Sequence, residues 1–306
     1  MKLITFHKDG EVRLGLVAGD RVVDLHRASR DAPGAPGEKL PADMVSFLKL
    51  GPEGMERARQ LGKLAGSDKE APCVLPLDSV RIGPPVPVPP KIICIGLNYE
   101  EHITEGGAER PKNPIVFAKY RNAVIGPDDP VLLPADSKQV DYEAELAFVI
   151  GRPGRYIPAE KAFDHIAGYT IVNDISARDA QFSDGQWVRG KTYDTFAPMG
   201  PHLVTTDEVP DPHNLGIKLR LNGQTMQSSN TSQLIFKIPE LVAFLSRGIS
   251  LEPGDVVATG TPMGVGVFRD PPVLLKSGDL MEVEIDRVGL LANPVLDEPE
   301  TLRTGN

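Results

Sequence analysis

The chain has 306 residues, of which 42 are acidic and 33 are basic, so its formal net charge is −9 at neutral pH. This acidic balance offers no basic surface for nucleic acid and nothing that would hold an anionic membrane. Hydrophobic residues make up 41% of the chain and charged residues 25%, which is typical of a globular protein and not of a disordered one.

The sequence also predicts where the protein resides. The two cysteines, Cys73 and Cys94, lie far apart and form neither a disulfide framework nor a zinc motif. No apolar segment approaches the roughly 20 residues of a membrane span, and the N-terminus lacks the apolar core of a signal peptide. We therefore expect a cytoplasmic protein with no nucleic-acid or membrane partner.

The first part of the chain predicts a small domain. Strand-like segments within residues 1–25 are separated by the turn signals Asp9-Gly10 and Gly19-Asp20, and helical spacing follows in residues 42–65. Five of the seven residues 84–90 are proline, which excludes a helix or a central strand there. We therefore place a small N-terminal domain at residues 1–83, a linker at 84–90 and the main domain at 91–306.

The main domain is predicted to be rich in strands. The strand candidates are Lys91–Gly96, Pro114–Lys119, Val140–Ile150, Tyr169–Asn173, Leu203–Thr205, Ile217–Leu221, Asp255–Thr259 and Leu280–Ile285. Short helices fit Asn98–Glu105, Pro158–His165 and Pro239–Ser246. Because strands outnumber helices and no βαβ alternation is present, the pattern predicts an α+β fold built on a β-sandwich or roll.

One predicted strand carries a line of acids. Side chains of a strand alternate between faces, so Asp141, Glu143 and Glu145 share one face. Carboxylates on one face repel each other and favour a cation between them, and oxygen ligands favour Mg²⁺, Mn²⁺ or Ca²⁺. Asp174, at the end of the next strand, would supply a third ligand beside Glu143 and Glu145. Two other interpretations stay open: the acids form a solvated strand face, or Asp174 caps a helix.

Other polar residues are candidates for catalysis or binding. On a helix, His102 and Glu105 stand three residues apart and face each other, which suits either a general-base dyad or an ordinary surface pair. Lys119 and Lys191 can each pair with a substrate oxygen, or simply be solvated. Thr261 lies in a glycine-rich loop after a strand. This loop lacks the lysine of a P-loop, so no nucleotide site is expected.

Taken in order, these motifs resemble the fumarylacetoacetate hydrolase family, in particular its acylpyruvase-like branch. The resemblance runs from about Lys91 to beyond Ile285 and is carried by the following segments: Ile95–Tyr99 with His102 and Glu105, Asp141–Leu146, Asn173–Asp179, Gly190–Thr192, and Thr259–Pro262 with Gly264–Gly266. It implies a mixed β-sandwich roll preceded by a small N-terminal α/β domain, and it implies a homodimer.

The resemblance also implies the roles of the site residues. Mg²⁺ or Mn²⁺ is expected on Glu143, Glu145 and Asp174. His102 and Glu105 are expected to form a catalytic dyad on a lid, with the catalytic Lys191 nearby, and Lys119, Gln181 and Thr261 to contact the 2-oxo acid end of the substrate. Several acylpyruvase-like members carry an arginine where this chain has Leu97.

The leading prediction is a divalent-metal-dependent hydrolase. It would cleave a carbon–carbon bond in a 2,4-diketo acid of the acylpyruvate type to give pyruvate and a carboxylic acid. The same residues also suit an oxaloacetate decarboxylase or tautomerase, or a 2-hydroxy-dienoate isomerase, because all of these reactions pass through related enols. A non-enzyme alternative is a metal-stabilised scaffold whose dyad is vestigial.

Overall fold

The computed structural model describes residues 1–31, 39–68, 70–183 and 185–303. The described part of residues 1–83 forms a meander of strands, three α-helices and two further short strands. These elements are β1 (Lys2–Lys8), β2 (Glu11–Ala18), β3 (Arg21–Asp24), α1 (Leu25–Asp31), α2 (Met44–Leu48), α3 (Gly51–Ser67), β4 (Val74–Pro76) and β5 (Arg81–Gly83).

Strands dominate the rest of the chain, as its sequence predicts. The elements are β6 (Ile92–Gly96), α4 (Glu100–Glu105), β7 (Ile115–Lys119), β8 (Val124–Ile125), β9 (Val131–Leu133), β10 (Val140–Asp141), β11 (Ala144–Ile150), β12 (Ile166–Asn173), β13 (Ser176–Ala177), α5 (Arg178–Ser183), α6 (Trp187–Lys191), β14 (Ala197–Thr205), β15 (Gly216–Leu221), β16 (Gln224–Asn230), α7 (Ile238–Gly248), β17 (Val256–Ala258), β18 (Leu280–Ile285), β19 (Gly289–Asp297) and α8 (Glu300–Arg303). Within the described residues, none of the helices has both the length and the hydrophobicity needed to span a bilayer.

Two sheets form the body of the protein. The larger has twelve strands, with β4-β3-β2-β1-β14-β12-β11-β17-β6-β7 as its path and with β5 and β8 attached to β1 and β14. The smaller has the order β16-β15-β18-β19-β9. Leu146 and Phe148 of β11 pack in one core with Leu219 and Val283 of the smaller sheet. The fold is therefore the strand-rich α+β sandwich that the sequence predicts.

The other face of the large sheet is covered by the N-terminal helices. Ala147 and Val149 of β11 lie in a second core together with Phe47 of α2 and Leu61 of α3. Strand β11 is thus buried on both faces, and its alternating side chains enter two different cores.

The predicted linker lies against this body. β1 pairs with β14, so the hydrogen-bonded sheet continues from the N-terminal segment into the main one. Val86 is buried, and the Thr5 hydroxyl donates to the Pro85 carbonyl at 3.0 Å. The division at residues 84–90 stays a prediction about chain organisation, and the packing shows that both segments share one core.

The predicted strand over 140–150 is interrupted in the structure. β10 pairs with β13, whereas β11 pairs with β12, and Tyr142 and Glu143 lie between the two ladders. The Glu143 amide donates to the Asn173 side chain at 3.0 Å, and the Asp174 amide donates to the Glu143 carbonyl at 2.9 Å. These hydrogen bonds take the place of strand pairing at Tyr142 and Glu143, where the chain turns between β10 and β11.

The helix predicted from Asn98 begins two residues later. The Asn98 side-chain nitrogen donates to the carbonyls of Phe236 and Thr259, and the Asn98 side-chain oxygen accepts from the Phe236 backbone amide. A side chain that holds three backbone groups together at the ends of β6 and β17 serves as a cross-link. Helix α4 therefore starts beyond it, at Glu100.

Candidate active site

A cavity of about 170 Å³ opens where β6, β11, α4, α5 and α6 come together. Most of its lining residues come from the motifs that the sequence singles out. The lining comprises Ile95, Gly96, Leu97, His102, Gly106, Ala108, Phe117, Glu143, Glu145, Arg178, Gln181, Phe182, Trp187, Lys191, Thr261 and Phe268.

Three carboxylates converge at this cavity, two of which, Glu143 and Glu145, line it. Glu143, Glu145 and Asp174 each offer an oxygen that lies within 4.8 Å of the other two. The register of the sheet brings them together, because Ala144 pairs with Asn173 and so sets the residues on either side of it beside Asp174. All three side chains are buried, which excludes a solvated acidic face. Asp174 caps no helix, since α5 begins only at Arg178.

Two lysines neutralise part of this charge. The Lys191 ammonium donates to Glu143 at 2.8 Å and to Asp174 at 2.9 Å. The Lys119 ammonium donates to Asp174 at 2.5 Å and to the Ile175 carbonyl at 3.0 Å. Although burial opposes it, the nearby Asp174 and Glu143 raise the pKa of Lys191. Lys191 is therefore a permanent cation beside the carboxylates.

Arg178 is a third cation, and it has no predicted role despite its place in the Asn173–Asp179 motif. Its guanidinium donates to Asp141 and to Glu143, both at 2.6 Å, and to the Gln181 side-chain oxygen at 3.0 Å. Burial alone would raise the pKa of Glu143, but Lys191 and Arg178 outweigh it and lower that pKa to about 2. A buried arginine among acids could have been suspected from the motif itself.

Glu145 shows whether the group of acids suits a metal ion. One Glu145 oxygen accepts from the Gly260 amide at 2.8 Å, and among the described residues no cationic side chain pairs with it. Burial first, and then the adjacent Asp174 and Glu143, raise the pKa of Glu145 well above its usual value. Four buried carboxylates, counting Asp141, thus face three buried cations. A divalent cation, which takes oxygen ligands, would supply the missing positive charge.

Saturating Mg²⁺ or Mn²⁺ should therefore raise the thermal midpoint of unfolding. A ligand that binds only the folded state contributes about 2.7 kcal/mol at roughly a hundredfold excess over its Kd, which corresponds to a rise of several degrees. Thermal melts with and without EDTA would measure it, with KCl at equal ionic strength as the control for screening. A midpoint that responds equally to KCl would argue against the site.

The predicted dyad lies beside the same cavity, which His102 lines together with Glu143 and Glu145. His102 Nδ1 lies 3.3 Å from Glu105, and both Glu105 oxygens accept from the Gly264 amide, at 2.9 and 3.0 Å. The His102 ring also packs near Phe268, with the ring centroids 6.0 Å apart. The imidazole is buried and lines the cavity. Because Nδ1 faces Glu105, Nε2 is the nitrogen that can exchange a proton with a bound molecule.

The three predicted substrate contacts differ in their positions. Gln181 and Thr261 line the cavity, and the Thr261 hydroxyl accepts from Gln227 at 2.8 Å, which leaves its own hydrogen to donate. The Lys119 ammonium instead contacts Asp174, and Lys119 is not part of the cavity lining. The structure therefore makes Lys119 an ionic partner of a predicted metal ligand.

Aromatic and small residues form the remaining wall, which the sequence does not reveal. The Trp187 ring lies so close to Gly96 that a Cβ there would come within 2.2 Å of it. Trp187 also packs edge-on to Phe117 at 5.6 Å, and the Lys191 ammonium lies 5.1 Å from the centre of the Phe117 ring. Gly96 thus allows Trp187, at the start of α6, to pack inward while Lys191, at its end, reaches the acids.

Known proteins are similar to this chain over most of its length. The family described as fumarylacetoacetate (FAA) hydrolase, C-terminal, matches residues 91–296. The mitochondrial oxaloacetate tautomerase fahd2 of Xenopus laevis is 45% identical over 302 residues, which cover 97% of this chain and 90% of the relative.

Two solved structures are similar over nearly the whole chain. The 5-carboxymethyl-2-hydroxymuconate delta-isomerase of Mycobacterium smegmatis has a TM-score of 0.74 and 35% identity, with 98% of this chain and 100% of that chain covered. Maleylpyruvate hydrolase of Sphingobium sp. SYK-6, in complex with manganese(II) and pyruvate, has a TM-score of 0.77 and 34% identity, with the same coverage. The family match and the full-length relatives show that this chain belongs to the fumarylacetoacetate hydrolase family.

Proposed function

We propose that the protein is a Mg²⁺- or Mn²⁺-dependent keto–enol tautomerase of a small 2-oxo acid, with oxaloacetate as the first candidate substrate. The observation that carries the proposal is that a buried carboxylate triad and a His–Glu dyad both contribute side chains to one small cavity. The name of the Xenopus relative supports oxaloacetate, and its similarity extends over nearly the full length of both chains.

The polar end of the cavity suits the carboxylate and 2-oxo oxygens of such an acid. Glu143, Glu145 and Asp174 would hold the metal ion, which supplies a Lewis acid when bound. The Thr261 hydroxyl and the Gln181 amide nitrogen are neutral donors in the lining. The Lys191 ammonium provides a fixed positive charge beside the place where an enolate oxygen would develop.

The dyad moves the proton. In the keto-to-enol direction, His102 Nε2 accepts a proton from the carbon next to the 2-oxo group, the electrons of that C–H bond pass to the oxygen near Lys191, and this oxygen takes a proton from solvent while the imidazolium releases its own to solvent. In the reverse direction, the enol oxygen releases its proton to solvent and the imidazolium returns a proton to that carbon. Glu105 holds the ring through Nδ1 and stabilises the imidazolium, and the Gly264 amide fixes Glu105. No bond between carbons is formed or broken.

Hydrolysis of a 2,4-diketo acid, the leading prediction from the sequence, is the second candidate. The named maleylpyruvate hydrolase, whose structure contains manganese(II) and pyruvate, favours it. In that reaction the same dyad would deprotonate a water molecule for attack on the distal carbonyl. The two reactions differ in their products, so they can be separated by experiment even though they would use the same residues.

The test is a panel of 2-oxo acids with three separate readouts. With enol-oxaloacetate, loss of the ultraviolet absorbance of the enol measures tautomerisation, while pyruvate and CO₂ are assayed in the same sample. We expect enol loss that is faster than the spontaneous rate, stops with EDTA and returns with Mn²⁺, without matching pyruvate. Pyruvate released in step with an acylpyruvate substrate, with no enol loss beyond the spontaneous rate, would contradict the tautomerase in favour of the hydrolase.

The resemblance to the family also supports a homodimer, which we propose as the solution state. Light scattering coupled to size-exclusion chromatography would measure it. A mass near the 33.1 kDa of one chain would contradict this proposal without affecting the tautomerase.

A further inference from the structure

One carboxylate near the cavity has no part in the proposed reaction. Asp141 is completely buried, and it does not belong to the group of acids whose oxygens converge. One Asp141 oxygen accepts from Arg178 Nε at 2.6 Å, and the other accepts from the Val267 amide at 2.9 Å. Both oxygens are thus committed to partners in two different parts of the site.

The first partner leads to the metal side. With Nε held by Asp141, the Arg178 guanidinium directs Nη2 to Glu143 and Nη1 to the Gln181 oxygen. A guanidinium is a rigid planar fork, so fixing one of its edges determines where its other donors point. The contact with Nη1 also occupies the Gln181 oxygen, which leaves the amide nitrogen of Gln181 as the group that can donate into the cavity.

The second partner leads to the dyad side. Val267 lies in the turn Gly266–Phe268, and the Phe268 ring packs near His102. This turn is tightly enclosed, because a Cβ on Gly266 would lie 2.0 Å from the Val273 carbonyl and 2.9 Å from the Asp141 Cβ. Asp141 therefore holds the turn behind His102 with one oxygen and the guanidinium behind Glu143 with the other.

We propose that Asp141 is a positioning residue that acts through Arg178 to orient Glu143 for metal binding and Gln181 for substrate binding. This inference rests on the proposed function only in requiring that the triad binds a divalent cation. Asp141 would not contact the metal or the substrate itself. Asp141 holds Arg178, and Arg178 in turn holds the predicted metal ligand Glu143. Loss of such an outer hydrogen-bond partner commonly weakens metal binding by roughly 10–100-fold.

The experiment is a Mn²⁺ titration of Asp141→Asn. Trp187 is the only tryptophan of the chain and lines the cavity, so quenching of its fluorescence reports binding at this site, and electron paramagnetic resonance of free Mn²⁺ gives an independent Kd. Asparagine keeps the shape, but it cannot accept from both partners because one of its oxygens becomes an NH₂ donor. We expect the Kd for Mn²⁺ to rise roughly 10–100-fold while the fold is retained.

Asp179→Asn is the matched control. Asp179 follows Arg178 directly, and its oxygens also accept hydrogen bonds, but from the Ser137 hydroxyl and the amides of Lys138 and Ala180, none of which lines the cavity. The Kd of the Asp179→Asn protein for Mn²⁺ should stay within about threefold of the wild-type value, a shift worth less than about 1 kcal/mol. An unchanged Kd in Asp141→Asn, or an equal loss in both variants, would overturn the inference.

A double variant tests the path through Arg178. If Asp141 acts through the guanidinium, Asp141→Asn combined with Arg178→Met should bind Mn²⁺ as weakly as Arg178→Met alone. A Kd for Mn²⁺ about tenfold higher in the double variant than in Arg178→Met would overturn the inference. This comparison remains decisive if Asp141→Asn fails to fold, because the double variant leaves no unpaired guanidinium buried. Wild-type protein that binds Mn²⁺ but does not tautomerise contradicts only the proposed function.

Discussion

Glu145→Gln should abolish metal-dependent activity and, at the same time, make the metal-free protein more stable. Glutamine keeps the length of the side chain and an oxygen that can accept from the Gly260 amide. It removes the carboxyl group whose ionisation Glu143 and Asp174 oppose and with which, among the described residues, no cationic side chain pairs. The two effects have opposite signs, which is what distinguishes a metal ligand from an ordinary buried residue.

The expected loss of activity is large. A metal ion acting as a Lewis acid contributes several kcal/mol to the reaction, and each 1.36 kcal/mol corresponds to a factor of ten. Activity at limiting Mn²⁺ should therefore fall by at least about a hundredfold. In thermal melts, the midpoint without metal should rise, because the wild type can bury Glu145 only by protonating it or by leaving its charge desolvated and repelled, and glutamine removes both costs. The further rise that Mg²⁺ produces in the wild type should disappear.

Glu284→Gln provides the control for this substitution. Glu284 also lies on a strand and forms an ion pair, with Arg220, but it is exposed and remote from the cavity. Its melts should respond to Mg²⁺ as the wild type does. If Glu145→Gln kept the Mg²⁺-dependent rise, or if its metal-free midpoint fell well below that of the wild type, Glu145 would not be a ligand in the proposed sense.

Much of this fold can be predicted from local pattern. The alternation in residues 144–150 separates Leu146 and Phe148 from Ala147 and Val149, and the structure places these pairs in two different cores. Pattern alone did not locate the break at Tyr142 and Glu143. That break is stabilised by the Asn173 side chain, which comes from another strand, and such a partner leaves no local signature.

The candidate site was predictable as a set of residues but not as a network. The acids and the dyad stand out because carboxylates and histidine in ordered motifs are chemically unusual. Which cation neutralises which acid depends on the register of β11 with β12 and on how α6 packs against Gly96. Lys119 illustrates the difference, because its position at the end of a strand suits a substrate contact, whereas its ammonium contacts Asp174.

His102→Ala should separate catalysis from binding. The substitution removes the imidazole that would exchange the proton, but it leaves Glu143, Glu145, Asp174 and Lys191 in place. General acid–base catalysis typically contributes roughly 10²–10⁴-fold, so the catalysed loss of enol should fall by that factor. Steady-state kinetics with enol-oxaloacetate would measure it. The Kd for Mn²⁺, from the quenching of Trp187, should change little.

Oxalate gives the second half of this measurement. It resembles the carboxylate and 2-oxo end of the substrate and has no carbon-bound proton to transfer. His102→Ala should therefore bind oxalate in the presence of Mn²⁺ about as tightly as the wild type does. Glu100→Gln is the matched control on the same helix, since Glu100 is exposed and pairs with Arg110. That variant should keep wild-type turnover and oxalate binding.

Glu105→Gln completes the test because it leaves the imidazole present but changes what holds it. A neutral amide cannot stabilise the imidazolium as a carboxylate does, so turnover should fall in the same direction as in His102→Ala. Residues that act as a unit are not additive, and the double variant should therefore lose little more than either single variant. Losses that multiply would show that the two residues act separately. Near-normal turnover in His102→Ala would show that the dyad does not transfer the proton.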